Sequence, residues 1–300
     1  LIKGANLGII SMNTGELLAS YDEEIRIQTA EEVYSSKKYF ENSKPESEKF
    51  GRINTLYEKR GGFIWNIYSG AKLLFPEIKA SSLTRLMFLA TYLGYDGYLI
   101  DSKKFPIPVK DLETLLGVKN RECRRFWNDM ESSGLMREVD GRIYLNENMF
   151  SRGSFSKDKI KSLSENEQYI TRIYIKGVRS LYRTATKSSH ATLSYIFRIL
   201  PYVNKEYNVC CFNPLEQDKQ KIQPMSLGDF ADIIGYNRTN ISKLYKILFE
   251  PRFEIDGKSI SVTRYVSTTG FSKETLSMFI NPCVYYAGRH WKEVEILGCF

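Results

Sequence analysis

Histidine is almost missing from this chain: its 300 residues hold only two, His190 and His290. Without a histidine cluster, the common metal sites and imidazole-based proton transfers lack their usual residue. His290, in "GRHWKE", reads as a surface or interface residue rather than a base. Five cysteines (Cys123, Cys210, Cys211, Cys283 and Cys299) form no C-x-x-C pair, and their odd count and scattered spacing argue against a disulfide framework or a zinc site. No metal and no cofactor is expected, and a reducing cytoplasm is the expected setting. No apolar run approaches the roughly 20 residues needed to cross a bilayer. The first residues carry no signal-peptide pattern, so no membrane partner is expected. A phosphate loop of the form G-x-x-x-x-G-K-[ST] is absent as well, which argues against ATP-driven work. A nicking nuclease would set a tyrosine beside a histidine-held metal; twenty tyrosines are present, but both histidines are isolated. No enzymatic activity is expected.

What the chain does have is an ordinary globular composition, 42% apolar and 26% charged, with a net charge of +8. A pI near 9.0 favours a polyanionic partner. The excess is localised. Residues 152–187 carry nine bases (Arg152, Lys157, Lys159, Lys161, Arg172, Lys176, Arg179, Arg183, Lys187) against three acids, Asp158, Glu165 and Glu167. This is either a polyanion-binding patch or a solvated linker and helix face.

The chain repeats itself. "YLNENMFSRG" (144–153) is echoed by "FINPCVYYAG" (279–288), each with an asparagine after an apolar residue and a glycine at the end. Upstream, "VKDLETLLGV" (109–118) matches "LGDFADIIGY" (227–236), and "FIWNIYSGAKLLF" (63–75) resembles "YITRIYIKGVRSLY", which starts at Tyr169. Three landmarks in one order, with spacing that grows along the chain, indicate a tandem duplication whose second copy carries insertions.

Within copy one, the apolar spacing of Phe63, Ile64, Ile67, Tyr68, Ala71, Leu74 and Phe75 predicts a helix. A second helix follows "SSLT", and a short one over Val109–Leu116 is closed by Gly117. Another helix spans 120–133, and "LMREVDGRIYL" forms a hairpin around Asp140-Gly141. Helix, glycine turn, helix and hairpin predict a winged helix-turn-helix, whose second helix enters the DNA major groove. Residues suited to reading bases are Asn120, Arg121, Arg124 and Arg125 in copy one, with Arg238, Thr239, Asn240, Ser242 and Lys243 in copy two. Lys119, Arg137 and Arg142, with Lys258 and Arg264 of the second wing, suit phosphate contacts. Phe63, Trp65, Tyr68, Tyr169 and Tyr174 are the aromatics that could stack unpaired bases, although core packing explains them as well.

Several pieces resemble the RepL-type replication initiators of plasmids and phages: "NTGELL" (13–18), "LYEKRGGFIWNIY" (56–68), "LLGVKNRECRRFWNDMESSGLMREVDGRIYLN" (115–146) and "SRG" (151–153). The likeness spans about half the chain, from Gly8 to Gly153. Glu147 stands where that family has a proline, which Pro282 restores in copy two. The resemblance implies sequence-specific DNA binding in the service of a mobile element.

The expected fold is mainly α with small β wings (α+β): two tandem winged helix-turn-helix domains preceded by an N-terminal β-hairpin and linker. Residues 1–58 would hold the hairpin, around Asn13-Thr14-Gly15, and the polar linker 34–52. Residues 59–155 would form the first winged-helix domain and 156–300 the second. "YEKRGG" (57–62) is either a basic arm along phosphates or a flexible lead-in. The expected partner is double-stranded DNA, read as two unlike half-sites, with replication or transcription machinery alongside. The expected role is replication initiator or transcriptional regulator in a bacterial host. The alternative is a winged-helix adaptor that holds proteins, either a polymerase-recruited subunit or an antagonist of a host factor.

Overall fold

The structure, a computed structural model, describes residues 7–10, 17–21, 62–67, 75–153, 170–186, 189–255, 257–267 and 276–286. The chain divides into two compact units, Leu1–Asn54 and Thr55–Phe300. In the first, strand β1 (Leu7–Ile10) pairs antiparallel with β2 (Leu17–Tyr21). The turn around Asn13–Gly15 and the segment 34–52 lie outside the described residues.

The second unit is organised by strands β3 (Phe63–Ile67), β6 (Phe150–Ser151), β7 (Ile170–Tyr174) and β12 (Tyr285–Tyr286). They form one antiparallel sheet in the order β12–β7–β3–β6. The helix expected from Phe63 is therefore a strand at its start. Aromatic and β-branched residues fill both β3 and β7, and their burial alternates between half-buried and buried, which suits a pleated surface. Of that expected helix, Tyr68, Ala71 and Leu74 lie outside the described residues.

The central register carries an internal twofold. Trp65 lies opposite Arg172, flanked by Phe63 opposite Tyr174 and Ile67 opposite Ile170. The outer strands attach alike: the Ile67 N–H donates to the Met149 carbonyl at 2.9 Å, and the Tyr174 N–H to the Val284 carbonyl at 3.0 Å. Ile67 thus corresponds to Tyr174, and Trp65 to the Arg172 facing it. The true counterpart of Phe63 is Ile170, one residue beyond the Tyr169 of the sequence match.

Helices cross between the halves as well. Helix α1 (Ala80–Ala90) belongs to copy one; α4 (Ile175–Thr184) and α5 (His190–Ile199) belong to copy two. The Thr84 hydroxyl donates to the His190 carbonyl at 2.7 Å, and Arg198 donates to the Ile78 carbonyl at 2.9 Å. Arg179 donates to both the hydroxyl and the carbonyl of Thr91, and Tyr182 stacks on Phe88 at 3.9 Å. One cluster of buried side chains runs through both halves, from Leu83 and Phe88 to Phe197 and Phe230.

The expectation of two tandem winged helix-turn-helix domains is therefore corrected. The described residues form an α+β mix of seven α-helices and small antiparallel sheets. The physical reason is the shared sheet and the crossed helices: most of the buried apolar side chains of both halves lie in one common cluster.

Local pieces of the duplication survive inside this body. In copy one, α2 (Leu112–Leu116) ends at Gly117, whose φ of 61° lets the chain turn into α3 (Asn120–Ser132). In copy two, α6 (Leu227–Ile233) is followed by Gly235 at φ 66°, a 3₁₀ turn over Arg238–Asn240 and α7 (Ile241–Phe249). Equivalent bonds close both turns, from Val118 N–H to the Glu113 carbonyl and from Tyr236 N–H to the Ala231 carbonyl. Ser226 and Asp229 form a capping box at α6, and Asn237 caps the 3₁₀ turn through the Thr239 N–H at 2.9 Å; Lys119 offers no side-chain cap to α3.

Hairpin β4 (Met136–Val139) and β5 (Arg142–Leu145) turns through Asp140 and Gly141 at φ 50° and 70°, both left-handed as a type I′ turn requires. Copy two has two hairpins, β8 (Arg252–Ile255) with β9 (Lys258–Ser261), then β10 (Thr263–Ser267) with β11 (Leu276–Ile280). The second is the counterpart of β4–β5, because Arg264 lies opposite Phe279 as Arg137 lies opposite Tyr144. The first is an insertion, tied to α4 by a bond from the Glu254 N–H to the Ser180 hydroxyl.

The repeated asparagine phrase is the joint after each of these paired hairpins. Asn146 accepts from the Asn148 N–H at 2.9 Å and donates to the Gly134 carbonyl at 3.0 Å. Asn281 accepts from the Cys283 N–H at 2.8 Å and donates to the Ser261 carbonyl at 3.0 Å. Each folds the chain back toward the sheet, to β6 and to β12. The joint in copy two is tight: a Cβ on Gly177 would sit 2.5 Å from the Cys283 carbonyl oxygen.

Two stability predictions follow from that joint. Asn281 is fully buried and Asn146 half-exposed, so Asn281→Ala is expected to lower unfolding free energy by about 3 kcal/mol and Asn146→Ala by only about 1 kcal/mol in urea titrations. Gly177→Ala, which forces backbone off backbone, is expected to cost about 2–3 kcal/mol, read as a lower urea midpoint at unchanged slope.

Candidate nucleic-acid interface

The charge pattern of α3 is set by what its acids do. Glu122 receives a bond from Arg85 at 3.2 Å, and Asp129 one from Lys79 at 2.9 Å. Both bases come from the body of the protein, and Arg85 is buried along most of its length. Glu113, on the preceding helix, accepts from the Asn120 amide at 2.8 Å. Two of the three acids on α3 are thereby paired with the body, whereas the third, Glu131, is exposed near the end of the helix. Arg121, Arg124 and Arg125 stay exposed, at spacings that share one helical face, and have no ion-pair partner among the described residues. Lys119 is exposed beside them. Asn120 is committed to Glu113, so its amide bridges two helices instead of pointing free.

Copy two is arranged differently. Arg238 grips Asp232 through two nitrogens, and this hydrogen bonding holds the Asp232 carboxyl below its ordinary range and raises Arg238. Thr239 donates both its N–H and its hydroxyl to Asn237. These two side chains serve the turn itself. Asn240, Ser242 and Lys243 are exposed, as are Tyr245 and Lys246 on the same helix. Lys243 and Lys246 also border an open groove of about 450 Å³ between α7, α4 and α5, with Thr184, Ser189 and Thr192 opposite.

The hairpin bases fall into two groups. Lys258 is exposed on the inserted β8–β9 hairpin, whereas Arg264, exposed on β10, occupies the place of Arg137. Arg137 and Arg142 lie over tyrosine rings, Tyr144 at 5.5 Å and Tyr98 at 5.0 Å. Tyr98 comes from a short stretch that sequence reasoning missed. Residues 98–100 add to the hairpin through the Tyr98–Tyr144 bridge and a bond from the Leu99 N–H to the Ile143 carbonyl at 2.8 Å. A run that short carries no readable period.

The aromatics proposed for stacking sit elsewhere. Phe63, Trp65 and Tyr174 gather around the sheet centre, with Arg172 over Trp65 at 5.2 Å and over Phe63 at 5.6 Å. That placement is sheet packing. Tyr68 and Tyr169 lie outside the described residues, as do residues 154–169 and Lys187 of the basic stretch, and His290. His190 is buried, its ring stacked on Tyr182 at 4.3 Å.

Three thiols are sealed. Burial pushes Cys123 and Cys210 up and Cys211 up to about 12, so each stays protonated at neutral pH and is a poor nucleophile. No group of three or more His, Cys, Asp or Glu that could hold a metal ion gathers among the described residues, and no helix among them is long and apolar enough to cross a membrane. Comparison with known proteins yields no family model, no curated protein and no solved structure that matches this chain.

Proposed function

We propose that this chain binds double-stranded DNA in a sequence-specific way, as a replication initiator or transcriptional regulator of a phage or plasmid. The observation that carries the reading is the face of α3. Three guanidinium groups project from one exposed surface, and two of the helix's three acids, Glu122 and Asp129, are paired with bases of the body. Guanidinium groups bond guanine edges bidentately and phosphates equally well, so such a face suits a duplex groove. On α7, Ser242 and Lys243 supply a second exposed polar face of different sequence. Lys119, Lys258 and Arg264 flank these helices as phosphate contacts. Because one sheet and one buried cluster join the halves, two unlike half-sites would be read at a fixed spacing, without the slack of a flexible tether.

The test is selection from random duplex DNA at two salt concentrations, followed by anisotropy titration on the enriched site. Arg121→Ala with Arg125→Ala is expected to weaken binding by about 30-fold or more and to make the salt slope shallower by about 1–2. Lys243→Ala is expected to weaken it by about 5–10-fold, and insertion of about five base pairs (half a helical turn) between the half-sites should remove one half's contribution. Enrichment of a motif whose binding ignores all of these changes would overturn the assignment of the helices. No enrichment at all would overturn DNA reading itself and direct attention to a protein partner.

A further inference from the structure

The two copies treat one surface in opposite ways. On the outer face of hairpin β4–β5, strand alternation puts Arg137, Val139, Arg142 and Tyr144 on the same side, and the added stretch brings Tyr98 and Ile100 beside them. In copy two the corresponding residues Phe279, Val209 and Cys211 are buried, and together with Ile222 they form a small separate core. The cover there is the turn of residues 212–223, closed by a bond from the Phe212 N–H to the Gln223 carbonyl. In copy one the matching turn closes from the Asp101 N–H to the Phe105 carbonyl, too short to reach over the sheet. The face is left open, and its chemistry has changed with it.

What stands on the open face is a row of alternating guanidinium and phenol groups. Arg142 lies 5.0 Å from the Tyr98 ring, Tyr98 meets Tyr144 edge to face at 5.7 Å, and Arg137 lies 5.5 Å from Tyr144. The row continues across a cleft of about 520 Å³, lined by Arg137 and Tyr144, to a second pair, Arg152 at 5.0 Å from the ring of Tyr95. Tyr95 is 73% exposed, the most exposed large apolar side chain among the described residues. The hairpin itself puts no acid on this face: Glu138 points to its other side by alternation, and Asp140 sits in the turn. Asp96 and Glu147 border the cleft beyond it.

We propose that this face binds single-stranded DNA. Unpaired bases present flat π-surfaces that stack on tyrosine rings and on guanidinium planes, while their phosphates meet the same arginines. A protein partner of acidic character would use the charges but has no need of the ring geometry. A duplex keeps its bases out of reach of the rings. The stacking argument is independent of the duplex reading; the choice of DNA over RNA alone rests on it.

The probe is a fluorescein-labelled oligothymidine of about 20 nucleotides, titrated by anisotropy against the full chain, with a random-sequence duplex of equal length alongside. Tyr95→Ser is expected to weaken oligothymidine binding by about tenfold, and Arg142→Lys, which keeps the charge and loses the plane, by about fivefold. Tyr144→Leu is expected to do as much as Tyr95→Ser. Duplex binding should stay within about twofold in Tyr95→Ser and Tyr144→Leu, and melting temperatures should stay near that of the parent protein. Tyr95 is a surface side chain, so its variant remains informative even if Tyr144→Leu fails to fold. Retained affinity in Tyr95→Ser and Arg142→Lys would reduce the face to phosphate attraction and overturn the proposal. A parallel loss of duplex binding would assign the face to the duplex contact, and tighter binding of oligouridine would replace DNA by RNA; both outcomes overturn it. Wild-type oligothymidine binding with no duplex selectivity would sink the duplex reading and leave this one standing.

Discussion

The pairing of β3 with β7 is the constraint on which the rest of this structure depends. Two strands from copies far apart in sequence lie antiparallel, with Trp65 opposite Arg172 at the point where the internal twofold passes. Arg172 covers both Trp65 and Phe63, so the centre of the sheet is closed by a cation over aromatic rings. Around the joined strands α1 packs against α5 and α4, held by the polar bonds of Thr84 to α5, of Arg198 from α5 and of Arg179 on α4. The two halves share one main core and acquire fixed relative positions. Under the proposed DNA reading, such rigidity makes site spacing a requirement and removes the entropy cost of ordering a linker on binding.

Duplication gave each half the same parts, and divergence put them to different uses. The α3 face became a row of guanidinium groups, with two of the helix's three acids held by Arg85 and Lys79. The corresponding region of copy two spends Arg238 and Thr239 on its own turn, through Asp232 and Asn237. Copy two also gained a hairpin against α4 and a longer turn that roofs its paired hairpin. Its counterpart in copy one stayed uncovered and acquired arginines and tyrosines. The two halves therefore differ most on their outer faces and least at the sheet and the asparagine joints, where each half needs the other.

Features that depend on a few neighbouring residues are legible in the sequence itself. Gly117 and Gly235 mark left-handed turns, Asp140-Gly141 marks a type I′ hairpin, Asn237 marks a cap, and the two asparagines mark a turn bonding its own backbone. The duplication is plain from the order of three phrases. Features set by distant partners are not legible. Phe63, Ile64 and Ile67 fit a helix as well as a strand, and only β7 makes them a strand. Nothing local reveals the pairing of Arg264 with Phe279 past the intervening hairpin, so sequence alone groups Lys258 and Arg264 in one wing. The merging of the halves, which overturns two tandem winged helix-turn-helix domains, lies in contacts between residues about a hundred positions apart, such as Trp65 with Arg172 and Thr84 with His190. The charge of α3 is hidden for the same reason: its sequence reads as nearly balanced until Lys79 and Arg85 claim two of its acids.

The strand order has a consequence for synthesis. A ribosome releases β3 first and β6 well after it, but the other edge of β3 has no mate until Ile170–Tyr174 has emerged. During that interval the nascent chain carries an unpaired edge rich in aromatic and β-branched side chains, the kind of edge that recruits strands from other chains. Polysomes crowd many such edges together. The same strand that fuses the halves in the finished protein is thus the point at which two growing copies can exchange partners.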